Sequence, residues 1–180
     1  MLIINFLLFQ VAWFSCVIGA GQGLPWLGIV VTATVLTWHF YQAKQFTSEA
    51  LLMLTALAIG ATFDQAMLSL GFINYINNGW DEAFVPIWIL ALWLAFASTL
   101  NVSLRWMRTK HLITVAFGAI GGPLAYLGAE KLGAIILHGA QSYIPLSIGW
   151  AIITPLLVIV STRFDGFASH SKGVIKGKLI

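Results

Sequence analysis

The sequence predicts an all-α fold: an integral membrane bundle of six transmembrane helices with one short interfacial or re-entrant segment. Three observations point to it. Of 180 residues, 59% are hydrophobic and only 8% charged, whereas a soluble domain carries about 25% charged residues and could not hide so much apolar surface. Several apolar stretches approach or exceed the roughly 18 to 20 residues that cross a bilayer as a helix, which pairs its own backbone groups where no water can. Finally, the basic residues fall almost wholly on one side of the chain those stretches define.

With Pro, Gly and charges as punctuation, the spans fall at about 2–20, 25–42, 50–72, 86–107, 112–129 and 144–162. They form a single transmembrane helical domain over 1–162, followed by a basic cytoplasmic tail over 163–180. The first stretch has no positively charged n-region, so although Gly19-Ala20-Gly21 is small enough for a cleavage site it reads as a retained span. Cys16, the one cysteine, has no disulfide partner and sits in an apolar run as a packing residue. The stretch 130–143, "EKLGAIILHGAQSY", is apolar but too short to cross.

Lys44 follows the second span, Arg105, Arg108 and Lys110 surround the end of the fourth, and Arg163, Lys172, Lys176 and Lys178 follow the sixth. Eight of nine basic residues thus share one side, with Lys131 opposite, so both ends are expected in the cytoplasm. The acidic loop "INYINNGWDEAF" should face outward, with Trp80, Trp88 and Tyr143 at that interface. The tail "RFDGFASHSKGVIKGKLI" has the composition of a disordered segment able to touch anionic headgroups; it also serves simply as a topology signal.

Asp64 lies in the apolar run from Ala50 to Phe72. A carboxylate at the bilayer centre costs about 2.5–3.5 kcal/mol on insertion scales and usually faces protein or a wet cavity. At helical spacing it shares a stripe with Gly60, Ala61, Met67, Leu68 and Gly71, opposite bulkier Ile59, Phe63, Ala66 and Leu70, so it should point into the bundle. The helix rise places it roughly 12 Å below the outer end of its span. Gly121 and Gly122 lie near that level, as do Gln10 and Trp13. Pro123 and Pro155 there release the carbonyls of Ala119 and Ala151. Such broken helices hold ions or polar groups in transporters. The alternative leaves Asp64 neutral or bonded locally, Ser98 being one available partner, with Gly and Pro only permitting close packing. Ser98, Asn101 and Arg105 share a face of the fourth span. Arg105 is too deep for an Asp64 salt bridge, roughly 28 Å against 12 Å, and should snorkel to headgroups while Asn101 and Ser98 bond neighbouring helices.

His39, His111, His138 and His170 form no metal-binding spacing, and paired haem ligation by His39 and His111 is a remote option. No metal or cofactor is expected. Nucleophile elbows, Walker loops and dinucleotide fingerprints are missing from the sequence, and nothing suits nucleic acid. Glu130, Lys131 and His138 could supply acid and base groups but read more simply as an interfacial surface.

"NFLLFQVAWFSCVIGA", "PIWILALWLAFASTLNVSLRW" and "GAIGGPLAYLGAEKLGA" together resemble a family of small proteobacterial inner-membrane proteins of unknown function, over about residues 3–162. The matching blocks include Asn5, Gln10, Trp13, Trp93, Asn101, Gly121, Gly122, Pro123 and Tyr126. The resemblance implies the bacterial inner membrane and, through gene neighbourhoods rich in fatty-acid modification enzymes, lipid handling; it implies no catalytic residue. The favoured reading is a polytopic protein that binds or moves a lipid or small polar molecule at an intramembrane pocket built by Asp64, Gln10, Trp13, Asn101, Gly121, Gly122 and Tyr126, with membrane lipids as its partners. Two alternatives stand: a lipid-modifying enzyme using Asp64 or Glu130 as acid or base, and a structural subunit whose polar residues fasten helices.

Overall fold

The structure, a computed structural model, describes residues 1–168. Six α-helices make up most of it: α1 (Leu2–Gly21), α2 (Pro25–Gln42), α3 (Phe46–Ser69), α4 (Ile87–Leu100), α5 (His111–Lys131) and α6 (Ala140–Arg163). Among the described residues, α1, α3, α5 and α6 are long and apolar enough to cross a membrane, whereas α4 is apolar but only 14 residues long. Large apolar side chains cover the outside, with Ile3 at 75% and Leu112 at 87% exposure; such a surface suits lipid and not water. The chain has the build of a multi-pass membrane protein.

The shortest helix is the innermost. Ten of the α4 residues are buried, as expected of a helix apolar all round, and α1, α2, α3 and α6 pack on it while α5 leans on α6. Small residues set the closest approaches. A Cβ added at Gly28 would strike the backbone and side chain of Cys16, joining α2 to α1, and one at Gly118 would strike the Trp150 carbonyl, joining α5 to α6. Pro25 opens α2, where its missing N–H costs nothing.

The helix ends define two faces. At one, α2, α4 and α6 finish near Lys44, Arg105 and Arg163. At the other, β1 (Ile73–Tyr75) and β2 (Ile135–Leu137) pair antiparallel, Ile73 opposite Leu137 and Tyr75 opposite Ile135. Their alternation turns Ile73, Tyr75, Ile135 and Leu137 inward and Asn74 and Ile136 outward.

This small sheet corrects the expectation of an interfacial helix over 130–143. The segment ends α5, turns at Gly133 (φ 78°), forms β2, turns again at Gly139 (φ 63°) and starts α6. Its backbone needs partners, and β1 and nearby side chains supply them: Glu130 Oε1 accepts the Leu137 N–H at 2.8 Å, and the Ser142 hydroxyl donates to the Phe72 carbonyl at 2.5 Å.

The fourth span, expected over 86–107, is helical only over Ile87–Leu100. The chain then turns, with Val102 and Leu104 both donating to the Thr99 carbonyl, and makes a short 3-10 helix at Arg105–Thr109. Polar side chains from 101 onward bond across the basic face instead of continuing the helix. Trp88, expected at an interface, is fully buried. The expectation of a lipid-touching basic tail falls mostly on residues 169–180, outside the described residues, while 164–167 is docked by hydrogen bonds.

Candidate functional site: a membrane cleft behind a buried carboxylate

Asp64 is completely buried, on the inward stripe its small neighbours predict. Its helix ends at Ser69 and not near Phe72, so it lies about 7.5 Å from that end, shallower than the sequence suggested. Three donors from three elements fill the carboxylate. Tyr75 of β1 and Tyr126 of α5 donate their hydroxyls to Oδ1 at 2.6 and 2.5 Å, and Trp93 of α4 donates its indole N–H to Oδ2 at 2.6 Å. Ser98 takes no part; its hydroxyl donates to the Ala95 carbonyl at 2.7 Å.

Glycine makes room for this node. A Cβ at Gly60, one turn from Asp64, would sit inside the Trp93 indole. Trp93 stacks on Trp150 of α6 with ring centres 4.8 Å apart and planes 10° apart. Gly122 in turn leaves space for the Trp150 ring against α5. No local pattern in the sequence marks Tyr75, which reads as part of a loop but lies in β1, or Trp150; their meeting is a product of the small sheet and of the α5–α6 contact.

Of the two proline-released carbonyls, that of Ala119 accepts the Ser147 hydroxyl at 2.8 Å.

In front of the node, α1 and α5 enclose a cleft of about 380 Å³, floored by Trp88, Trp93 and Phe96 of α4. Gln10, Trp13, Gly121, Gly122 and Tyr126 all line it, so five of the seven residues singled out from sequence come together. Asp64 stands behind the wall and reaches the cleft only through Tyr126 and Trp93. Among the described residues no Asp, Glu, Lys, Arg or His lines the space. The cleft closes toward the sheet, where a Cβ at Gly21 would strike the Leu132 carbonyl and the Trp13 ring lies 3.2 Å from a Cβ built on Gly128. A Cβ at Gly121 would meet only the Phe117 ring at 4.0 Å.

Asn101, the seventh residue, is elsewhere. It belongs to a second polar node at the basic face, built on Glu49, which is also completely buried. Glu49 Oε2 meets His39 Nε2 at 2.8 Å, and Oε1 accepts from Asn101 Nδ2 at 2.5 Å and from the Gly166 N–H at 2.8 Å. Asn101 Oδ1 accepts from Arg108 at 2.5 Å, and Arg108 and Arg105 reach Asp165 at 2.7 and 2.5 Å. Arg105 therefore pairs with a carboxylate, where snorkelling to headgroups was expected. Burial alone would push the Asp165 carboxyl up, but the hydrogen bond and charge of Arg108, the Phe167 N–H and Arg105 together hold it below the usual carboxylate range. Gly166 is required where it sits, since a Cβ would crowd Glu49 and the Gln45 carbonyl.

The other candidates are tied into the scaffold. Glu130 pins β2, His138 bonds Asn74 at 2.8 Å, and His39 is held by Glu49.

Residues 2–156 match the model of a family described as "Protein of unknown function (DUF2878)". Among curated proteins and among solved structures, none matches the chain.

Proposed function

The chain belongs to this family, whose description assigns no activity, and from the geometry we propose that it binds a lipid-like molecule in the cleft between α1 and α5, inside the bilayer. One observation carries the reading: a space of about 380 Å³, walled by aromatic side chains and glycine, without a charged group among the described residues lining it. Sites for small molecules have this character, mostly apolar with a few placed polar groups. Here those groups are Gln10 and Tyr126.

Asp64 acts in this account as a positioning residue. Its oxygens are taken by three donors, which favours fastening Tyr126 and Trp93 to the cleft wall over acid or base chemistry on a substrate. We read all six helices as crossing, in the inner membrane of a bacterium, with the basic face and both termini cytoplasmic, because Lys44, Arg105, Arg108, Lys110 and Arg163 follow the positive-inside rule on that arrangement.

Gly121→Leu tests the binding reading, since Gly121 lines the cleft and a Cβ there meets only the Phe117 ring, at 4.0 Å. In native mass spectrometry of the purified protein the wild type should retain a lipid-sized adduct and Gly121→Leu should lose it at unchanged melting temperature. Equal adducts on both proteins would refute the site.

A further inference from the structure

The cleft has two unlike ends. It follows α1 from Phe6 to Val17, roughly 16.5 Å of helix rise against a hydrocarbon core of about 30 Å, and so has the reach of one lipid chain. Toward the sheet it closes, with Gly21 against the Leu132 carbonyl. Its last side chains there, Val17, Ala129 and Ile135, are apolar. Asp81 and Glu82, exposed between β1 and α4, lie at the same end, so an anion there would meet like charge.

Toward the basic face the lining ends in Ser103 and Leu104, and the chain runs straight on into the 3-10 helix Arg105–Thr109 and then Lys110. Lys110 stands seven residues before Phe117, a residue of the lining, and two helical turns put both on the same side of α5. It is exposed, and its ammonium lies 5.3 Å over the ring of Trp106, itself 49% exposed. Among the described residues it pairs with no carboxylate. The carboxylates of that face are already taken, Glu49 by His39, Asn101 and the Gly166 N–H, and Asp165 by the two arginines.

Resting on the cleft reading above, we propose that the occupant is an anionic phospholipid of the leaflet at the basic face, one chain in the cleft and its phosphate beside Lys110. The charges divide the molecule in this way. No charged side chain among the described residues lines the cleft, so it takes hydrocarbon, and an anion drawn into it would be buried unpaired at high cost. The cation that such a headgroup needs stands just past the end of the lining, where basic residues attract anionic lipid and a tryptophan ring suits the interface. The second chain stays in the bilayer.

The test is native mass spectrometry of the full chain, delipidated in a neutral detergent and titrated with dioleoyl phosphatidylglycerol, dioleoyl phosphatidylcholine or oleate. Phosphatidylglycerol should bind about five-fold more tightly than phosphatidylcholine, whose headgroup is neutral overall; that is the contribution of one basic residue at an anionic surface. Lys110→Gln should erase the preference and Lys110→Glu should reverse it, both at unchanged melting temperature, while Gly121→Leu should weaken both phospholipids. Equal binding of the two phospholipids, a preference that persists in both Lys110 variants, or oleate binding more tightly than phosphatidylglycerol overturns the assignment; the cleft is still a lipid site if Gly121→Leu lowers binding. Binding of every probe unmoved by Gly121→Leu, or no adduct with any probe, overturns the cleft reading itself.

Discussion

α3 carries two fully buried carboxylates about four turns apart, Asp64 toward the sheet and Glu49 at the basic face, and the protein meets them in opposite ways. Asp64 is surrounded by neutral donors on rigid aromatic rings, two tyrosines and a tryptophan. Glu49 is met by a histidine, an asparagine and a backbone N–H, linked onward to two arginines and Asp165. The first arrangement shapes a wall: two of its aromatic partners, Tyr126 and Trp93, also line the cleft. The second is a clasp joining α2, α3, α4, the 3-10 helix and the chain after α6, and none of its acidic or basic side chains lines that space. Burial of a carboxylate is therefore no mark of a site by itself; its partners decide whether it serves a cavity or a joint.

The comparison can be broken most forcefully at the joint. Glu49→Ala leaves His39, Asn101 and the Gly166 N–H without their common acceptor, and removing one member of a buried charged network costs about 3–5 kcal/mol. Thermal melting in detergent should show that loss, and a melting temperature like the wild type would mean the clasp contributes nothing. Asp64→Ala should cost less, about 2–3 kcal/mol, since it strands three neutral donors and no charge. It should also loosen Tyr126, so retention of lipid should fall along with stability. If lipid binding survived in Asp64→Ala, the wall would not depend on its anchor.

Gly60→Ala probes the wall more gently. Its methyl group would enter the space of the Trp93 indole, and such overpacking costs about 1–3 kcal/mol; a shifted tryptophan emission spectrum is the direct readout.

The smallest effect concerns pH at the joint. Asp165 titrates below the usual carboxylate range in the folded protein, so its contribution is present above the ordinary carboxyl pKa of about 3.9 and disappears as pH falls through the lower folded value. Asp165→Asn should flatten melting temperature against pH in that acidic window and leave its slope at neutral pH alone. An unchanged acidic slope would mean that Arg105 and Arg108 do not act through this carboxylate.

Sequence reasoning found the wall more readily than the clasp, for a physical reason. Asp64 is conspicuous because hydrocarbon-like residues flank it on both sides, and the small stripe through Gly60 fixes which way it faces. Gln10, Trp13, Gly121 and Gly122 follow from counting helix rise, which transfers well between helices that cross the same slab, whereas Tyr126 enters only through the family resemblance. Glu49 was invisible because α3 begins at Phe46 and not at Ala50, so an interior residue looked like part of a charged loop. Tyr75 was hidden by a three-residue strand whose partner lies some sixty residues away in sequence; no local period announces such a pairing. Asn101 stands apart from the cleft because α4 ends at Leu100, seven residues before the expected end of the fourth span, and the turn that follows carries Asn101 to the basic face.

An experimental structure in lipid nanodiscs is the most direct test of the claim that the carboxylate node walls a lipid cleft. The account predicts elongated, chain-shaped density between α1 and α5, with the Trp93 indole and both tyrosines on Asp64. Side chains of α1 packed directly against Gly121 and Gly122, with no space between the helices, would contradict it.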